Sequence, residues 1–293
     1  FKSFSGPSGL STTDGSMGIA LGDFNKDGLT DVIYSNYAAE VNTLATLIDN
    51  TSSNDGKLRN AVFVHDFESP LLHKLTWPKV SWAPGLFDLD NDTDLDLFFA
   101  NGHLNSVSGD NRQANLLFEN DGGGRFSDIS DKSGVLSTGK RIHRSAIFAD
   151  YDDDGRVDIF VTVNGQQVED GKGNNVFDPN QGKGILFHND TKNNNNWLKV
   201  RLEGTKSNRD GLGSKVKIKS GAFTDEKALV SGEGYFSSSA KEIYFGLGET
   251  TSIDKLTVLW PSGHDDIFEN IKANQTVYIV EGKQLYQDTL RSP

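Results

Sequence analysis

Three nine-residue segments of this chain carry Asp or Asn at positions 1, 3, 5 and 9. They are Asp23-Phe-Asn25-Lys-Asp27-Gly-Leu-Thr-Asp31, Asp88-Leu-Asp90-Asn-Asp92-Thr-Asp-Leu-Asp96 and Asp150-Tyr-Asp152-Asp-Asp154-Gly-Arg-Val-Asp158. In a tight turn these side-chain oxygens converge with the backbone carbonyl of position 7, which belongs to Leu29, Asp94 or Arg156. Such a shell suits Ca2+, which takes six to eight oxygen ligands at about 2.3–2.6 Å. Gly28 and Gly155 at position 6 supply a bend that a Cβ resists. Thr93 stands there in the second segment, which makes that loop the least regular of the three.

Position 12 holds Tyr34, Phe99 and Val161 where an EF-hand needs a bidentate glutamate, so these are not EF-hands. Apolar runs flank every ladder, and the unit reads as strand, metal loop, strand. A single acidic string is common in surface turns, but three at matching offsets point to a repeated ion site. Mg2+ suits it less, because it demands near-octahedral geometry and keeps several waters. Transition metals are disfavoured by the absence of cysteine and by the scatter of His65, His73, His103, His143, His188 and His264 without HxH or HxxxH spacing.

The first aspartates lie 65 and then 62 residues apart, and a period of this size marks an architecture of stacked units. Other features keep the phase: Asn115-Leu-Leu-Phe-Glu-Asn120 matches Gly184-Ile-Leu-Phe-His-Asn189, and Ala100-Asn-Gly-His103 matches Val163-Asn-Gly-Gln166. About four short strands per period suit a β-propeller blade. On these motifs residues 1–192 resemble the FG-GAP or VCBS repeats of integrin-like β-propellers, and the resemblance implies calcium, about three ions, in the three loops. Propellers normally have about four to eight blades, whereas only three blade signals are clear. Residues 37–80 diverge from the pattern, as an insertion or an extra strand set would. Either further blades lie upstream, or an incomplete propeller exposes sheet edges that recruit another chain.

Residues 193–293 have a different texture. Alternation such as Lys215-Val-Lys-Ile-Lys219 predicts antiparallel strands with one wet face. The phrases Asn196-Trp-Leu-Lys-Val, Ser207-Asn-Arg-Asp-Gly-Leu-Gly213, Gly232-Glu-Gly-Tyr-Phe-Ser-Ser238, Phe245-Gly-Leu-Gly248 and Trp260-Pro-Ser-Gly263 resemble the ASPIC/UnbV domain. That resemblance implies a β-sandwich-like domain and brings no defined activity. Ser207–Asp210 and Gly232–Tyr235 read either as one ligand pocket or as turn residues.

The fold class expected is all-β, an FG-GAP/VCBS propeller region followed by the ASPIC/UnbV domain. A net charge of −12 argues against nucleic acid, and no apolar run approaches the length of a membrane span. No GxSxG, HExxH or P-loop is present, so no catalytic residue is assigned. His103 and His143 read as surface or packing residues before they read as catalysts. The chain starts at Phe1, so a preceding segment is expected to have been removed. Calcium loops of this kind would stay empty in cytosol, which places the protein outside the cell or on its surface. The function expected is an extracellular calcium-binding adhesion or interaction module, with an extracellular protein or glycan as partner. One alternative is a structural subunit that pairs with copies of itself through exposed blade edges. A lesser one is a propeller-borne carbohydrate-active enzyme.

Overall fold

A computed structural model describes residues 5–11, 13–49, 61–65, 69–104, 111–165, 167–169, 175–177, 182–283 and 285–287. After a short helix α1 (Ser5–Ser8), strands β1 (Ile19–Gly22), β2 (Asp31–Tyr34), β3 (Thr43–Asp49) and β4 (Ala61–His65) form an antiparallel meander. Residues 37–80 therefore supply the outer half of the first blade, followed by helix α2 (Pro70–Thr76). The second blade repeats the meander with β5 (Ser81–Phe87), β6 (Asp96–Asn101), β7 (Leu116–Asn120) and β8 (Phe126–Asp128). In the third, β9 (His143–Ala149) and β10 (Asp158–Val163) lead to a separate ribbon of β11 (Gln167–Glu169) and β12 (Asn175–Phe177), and β13 (Ile185–Phe187) then joins β10. Each acidic ladder is the turn between the first two strands of its blade.

The remaining strands are β14 (Asn196–Glu203), β15 (Lys215–Ser220), β16 (Phe223–Ala228), β17 (Glu242–Gly248), β18 (Ser252–Leu259), β19 (Asp265–Lys272), β20 (Gln275–Val280) and β21 (Leu285–Gln287). They form two four-stranded sheets, ordered β17-β14-β20-β21 and β16-β15-β18-β19. Neither sheet is a simple meander: β14 and β20 run parallel in the first, and in the second β15 pairs with β18 as well as with β16. They face each other across one core of Leu198, Val200, Phe245, Val216, Ile218 and Val258, as the expected sandwich does.

The same two sheets also take the fourth and fifth places in a five-bladed ring. The strands β1, β5, β9, β17 and β16, one from each sheet, border a central cavity of about 750 Å³. The segment between β16 and β17 runs along the inner strands of the first and third blades. Gly234 exchanges both backbone hydrogen bonds with Ile19 (3.1 and 2.7 Å), and the Ala240 amide donates to the Phe148 carbonyl at 3.3 Å. The shortage of blades in the repeat region is thus made up from within the chain. Sequence reading missed this because the last two sheets carry no acidic ladder and a different strand order.

Middle strands are covered on both faces, which explains why β6 is buried along its whole length and apolar from Leu97 to Ala100. Phe99, Leu97 and Phe118 pack with Ile33 and Leu44 between the first two blades, and Phe98 and Leu117 pack with Ile159 and Val161 between the second and third. Burying each such side chain contributes about 1.5–3 kcal/mol.

Candidate metal centres

All three ladders fold into one backbone form. Positions 4 and 6 are left-handed in each: Lys26 and Gly28 (φ 58° and 86°), Asn91 and Thr93 (60° and 88°), Asp153 and Gly155 (61° and 86°). Thr93 thus adopts the glycine conformation, so the second loop keeps its shape despite the missing glycine. At Gly155 the need is double, because a Cβ there would overlap the Trp197 ring.

The position-1 carboxylates accept the amides of positions 5 and 6. Asp23 takes those of Asp27 and Gly28 (3.0 and 2.8 Å), Asp88 those of Asp92 and Thr93 (3.0 and 2.9 Å), and Asp150 those of Asp154 and Gly155 (2.9 and 3.0 Å). Asn25 and Asp90 at position 3 accept the position-5 amide. Asp27, Asp92 and Asp154 at position 5 accept the amides of Leu29, Asp94 and Arg156. Asp31, Asp96 and Asp158 at position 9 are buried, and each bridges two strands. One oxygen accepts the position-2 amide and the other accepts an amide of the blade's third strand or its end, from Leu47, Asn120 or Asn189 (2.8, 3.0 and 2.7 Å). A carboxylate has about four acceptor sites, so this frame orients the oxygens without exhausting them. Oxygens of Asp88, Asp90 and Asp92 lie within 4.8 Å of one another, as do those of Asp150, Asp152 and Asp154.

The electrostatics differ between loops. Burial pushes Asp88 and Asp94 up to about 7, Asp96 to about 8 and Asp90 to about 6; neighbouring carboxylates add to the effect, while Lys227 opposes it at Asp88 and Lys26 at Asp94. Asp31 in the first loop is pushed by burial to about 7. Among the described residues no lysine or arginine forms an ion pair with the second ladder, and Asp94 Oδ1 is buried without any hydrogen-bond partner. Crowded, desolvated carboxylates with an orphaned oxygen fit an oxygen-seeking dication.

In the third loop protein cations intervene. Lys199 on β14 is fully buried and donates to Asp150 Oδ2 at 2.7 Å and to Asp153, while Arg156 pairs with Asp154 and Arg201 with Asp153. Burial alone would lower the Lys199 pKa, yet its hydrogen bonds to Asp150 and Asp153 outweigh that and hold it above the ordinary value.

Sequence reading missed several residues that build these centres. The Asn120 side-chain amide donates to the carbonyls of Phe24 and Leu95 (2.8 and 3.0 Å), and that of Asn189 to those of Leu89 and Val157 (2.7 and 3.1 Å), so each ties its own loop to the loop of the preceding blade. The repeated ends Phe118-Glu-Asn120 and Phe187-His-Asn189 were the available signal. His188 also reaches the third loop, with Nδ1 3.1 Å from Asp158 Oδ1; hydrogen bonding to Asp158 raises its pKa.

Other candidates do not converge. The Ser207 hydroxyl and the amides of Thr205, Lys206 and Ser207 all bond the buried Glu281 carboxylate, whereas Gly234 pairs with Ile19. The two segments have separate structural partners and do not form one pocket. His143 is buried with Nδ1 on the Asn101 carbonyl, and burial lowers its pKa to about 4. Around the central cavity Glu242 is held by Arg201 and Tyr244, and Asp225 lies 3.7 Å from Lys227.

Comparison with known families agrees with this geometry: residues 88–161 match the FG-GAP-like repeat family and residues 204–285 match the ASPIC and UnbV family. The chain joins an FG-GAP-like repeat region to an ASPIC/UnbV region. Among curated proteins it is 28% identical over 284 residues to cartilage acidic protein 1 of Homo sapiens, covering 94% of this chain and 37% of that protein. Cartilage acidic protein 1 of Mus musculus is 28% identical over 84% of the chain, and that of Xenopus tropicalis 27% over 84%, each match covering 34% of the relative. The chain therefore spans little more than a third of the length of these relatives. The FG-GAP-like match contains the second and third ladders whole. Strand β14 falls between the two family matches, and from there its Lys199 ties the fourth blade to the third ladder.

Proposed function

We propose that this protein is an extracellular calcium-binding interaction module in which calcium clamps the FG-GAP-like blades. The observation that carries the reading is the second ladder: five aspartates between Asp88 and Asp96, buried or half-buried for the most part, with no protein cation paired to them. The ions would be held by Asp23, Asn25, Asp27 and Asp31, by Asp88, Asp90, Asp92 and Asp96, and by Asp150, Asp152, Asp154 and Asp158, with position-7 carbonyls completing each shell. Bound calcium supplies the charge that these carboxylates lack. Because Asn120 and Asn189 link successive loops, filling one site also fixes the neighbouring blade and the connections it presents to a partner.

A non-catalytic role follows from the same commitment, since carboxylates bound to calcium stay ionised and make poor general acids. The partner proposed is an extracellular protein or glycan. Self-assembly through open blade edges has less to recommend it, because the inner strands already have neighbours around the ring. No helix among the described residues is long and apolar enough to cross a membrane. Native mass spectrometry in millimolar calcium and after chelation tests the reading. A single chain that carries calcium and loses it to chelator is expected; a chain that holds no calcium would overturn the proposal.

A further inference from the structure

Phe236 is the most exposed large apolar side chain among the described residues, at 94%, and its backbone is left-handed (φ 47°). A bulky residue is strained in that conformation, where glycine would not be. Packing within the chain does not offset the strain, because so little of the ring is covered. The ring nevertheless has a fixed seat. It meets the Tyr235 ring edge-on (centroids 4.7 Å apart, 76° between planes), Tyr235 meets Trp82 in the same manner (4.8 Å, 62°), and the Arg144 guanidinium lies over the Trp82 ring at 4.3 Å. Trp82 and Arg144 are buried; the indole N–H donates to the Gly102 carbonyl, and Arg144 donates to those of Gly102, His143 and His103. The chain is pinned on either side of Phe236, by Gly234 on Ile19 and by Ser239 and Ala240 on the backbone of Phe148. A ring presented this rigidly loses little freedom when a ligand covers it.

Ile19, Trp82 and Arg144 stand near the starts of β1, β5 and β9, whose other ends lead into the ladders, so the aromatic stack lies at the end of the ring opposite the metal centres. What it can hold follows from its size and surroundings. One aromatic side chain covers about 150–250 Å², whereas a specific protein interface buries about 1,200–2,000 Å² around an apolar centre. The residues beside Phe236 supply no such centre: Ser231, Gly232 and Ser238 are exposed and polar. A sugar ring has the matching scale. A pyranose with equatorial hydroxyls turns axial C–H bonds toward the negative face of an aromatic ring and its hydroxyls toward the serines around it. Residues 234–240 carry no charged side chain, which suits a neutral sugar better than an acidic one. We infer that Phe236 is the stacking platform of a site for a neutral glycan, at the end of the ring remote from the ladders. The inference rests on the reading of the protein as an interaction module and chooses glycan over protein as its partner.

The test uses the whole chain in millimolar calcium, with cellohexaose and chitohexaose as calorimetric probes beside a panel of immobilised neutral glycans. Binding to at least one neutral glycan is expected, weakened at least about tenfold in Phe236→Ala and kept in Phe236→Trp. Phe236→Gly should abolish binding without lowering the melting temperature, because relief of strain offsets the added backbone freedom of glycine. No binding to any neutral glycan, undiminished binding by Phe236→Ala, or a Phe236→Gly variant that melts well below the parent would overturn the inference. So would sedimentation that shows a dimer which Phe236→Ala dissolves, since the ring would then belong to a second copy. Native mass spectrometry of the same samples separates the two readings. A calcium-loaded chain that binds no glycan loses this site and keeps the calcium reading; a chain that binds neither loses both.

Discussion

The second and third ladders share a backbone and differ in how they hold their negative charge. In the second, Asp88, Asp94 and Asp96 are buried without a paired cation, and Asp94 Oδ1 has no donor at all. In the third, Lys199, Arg156 and Arg201 stand against the carboxylates. On the proposed reading, the first arrangement takes its compensation from an ion in solution; the second carries much of its compensation in the covalent chain.

Chelation should separate the two most strongly. At calcium concentrations 100 times the dissociation constant each occupied site stabilises by about 2.7 kcal/mol, so stripping all the sites should lower the melting temperature by many degrees in calorimetry. Hydrogen exchange should then show protection lost first across residues 88–96 and last across residues 150–158. Equal loss in both loops would erase the distinction.

Lys199→Met inverts the comparison. It strands Asp150 beside a buried apolar chain, while Asp153 keeps Arg201, and breaking a buried pair typically costs about 3–5 kcal/mol. Urea unfolding in chelator should show that loss. Calcium should recover part of it, because Asp150 would no longer share its charge between the ion and an ammonium, and the third loop would come to behave like the second. A variant equally unstable with and without calcium would mean that Lys199 acts through packing alone.

What was legible beforehand follows the range of the interactions. The ladders could be read because every ligand lies within nine residues, and the spacing alone fixes which oxygens meet. Lys199 is 49 residues from Asp150 and looks like one more lysine on an alternating strand; nothing local says that it points inward. The five-sheet ring was hidden for a related reason. Alternation in Lys215–Lys219 reports that one face of a sheet is covered, not whether the cover is a sandwich partner or the next blade. Here the sheets at β15 and β14 cover each other, and β16 and β17 reach the central cavity as well.

Asp94→Asn addresses the orphaned oxygen with a smaller effect whose sign depends on calcium. Removing a buried charge that only the nearby Lys26 opposes should stabilise the chelated protein by about 1–3 kcal/mol. In calcium the same change removes negative charge beside the site, so affinity should fall and the melting curves of variant and parent should cross as calcium rises. Curves that never cross would show that Asp94 has no bearing on the ion.

Thr93 tests whether the loop form is imposed by the ladder or by glycine. A β-branched residue at φ 88° carries strain of about 1–3 kcal/mol, which Thr93→Gly relieves. Against this stand the extra backbone entropy of glycine, up to about 1 kcal/mol, and the loss of the exposed Lys26 Nζ bond to Thr93 Oγ1 at 2.9 Å. A net gain below about 1 kcal/mol is expected in thermal melts with calcium present. Gly28→Thr is the reciprocal control, because a Cβ at Gly28 meets nothing within 4 Å and only the backbone is strained. If it destabilises by about the amount that Thr93→Gly gains, the ladder's hydrogen bonds set the loop form and glycine merely lowers its cost. If Thr93→Gly destabilises instead, the Lys26 bond between the first two loops outweighs the strain, and threonine serves there as a link between neighbouring metal centres.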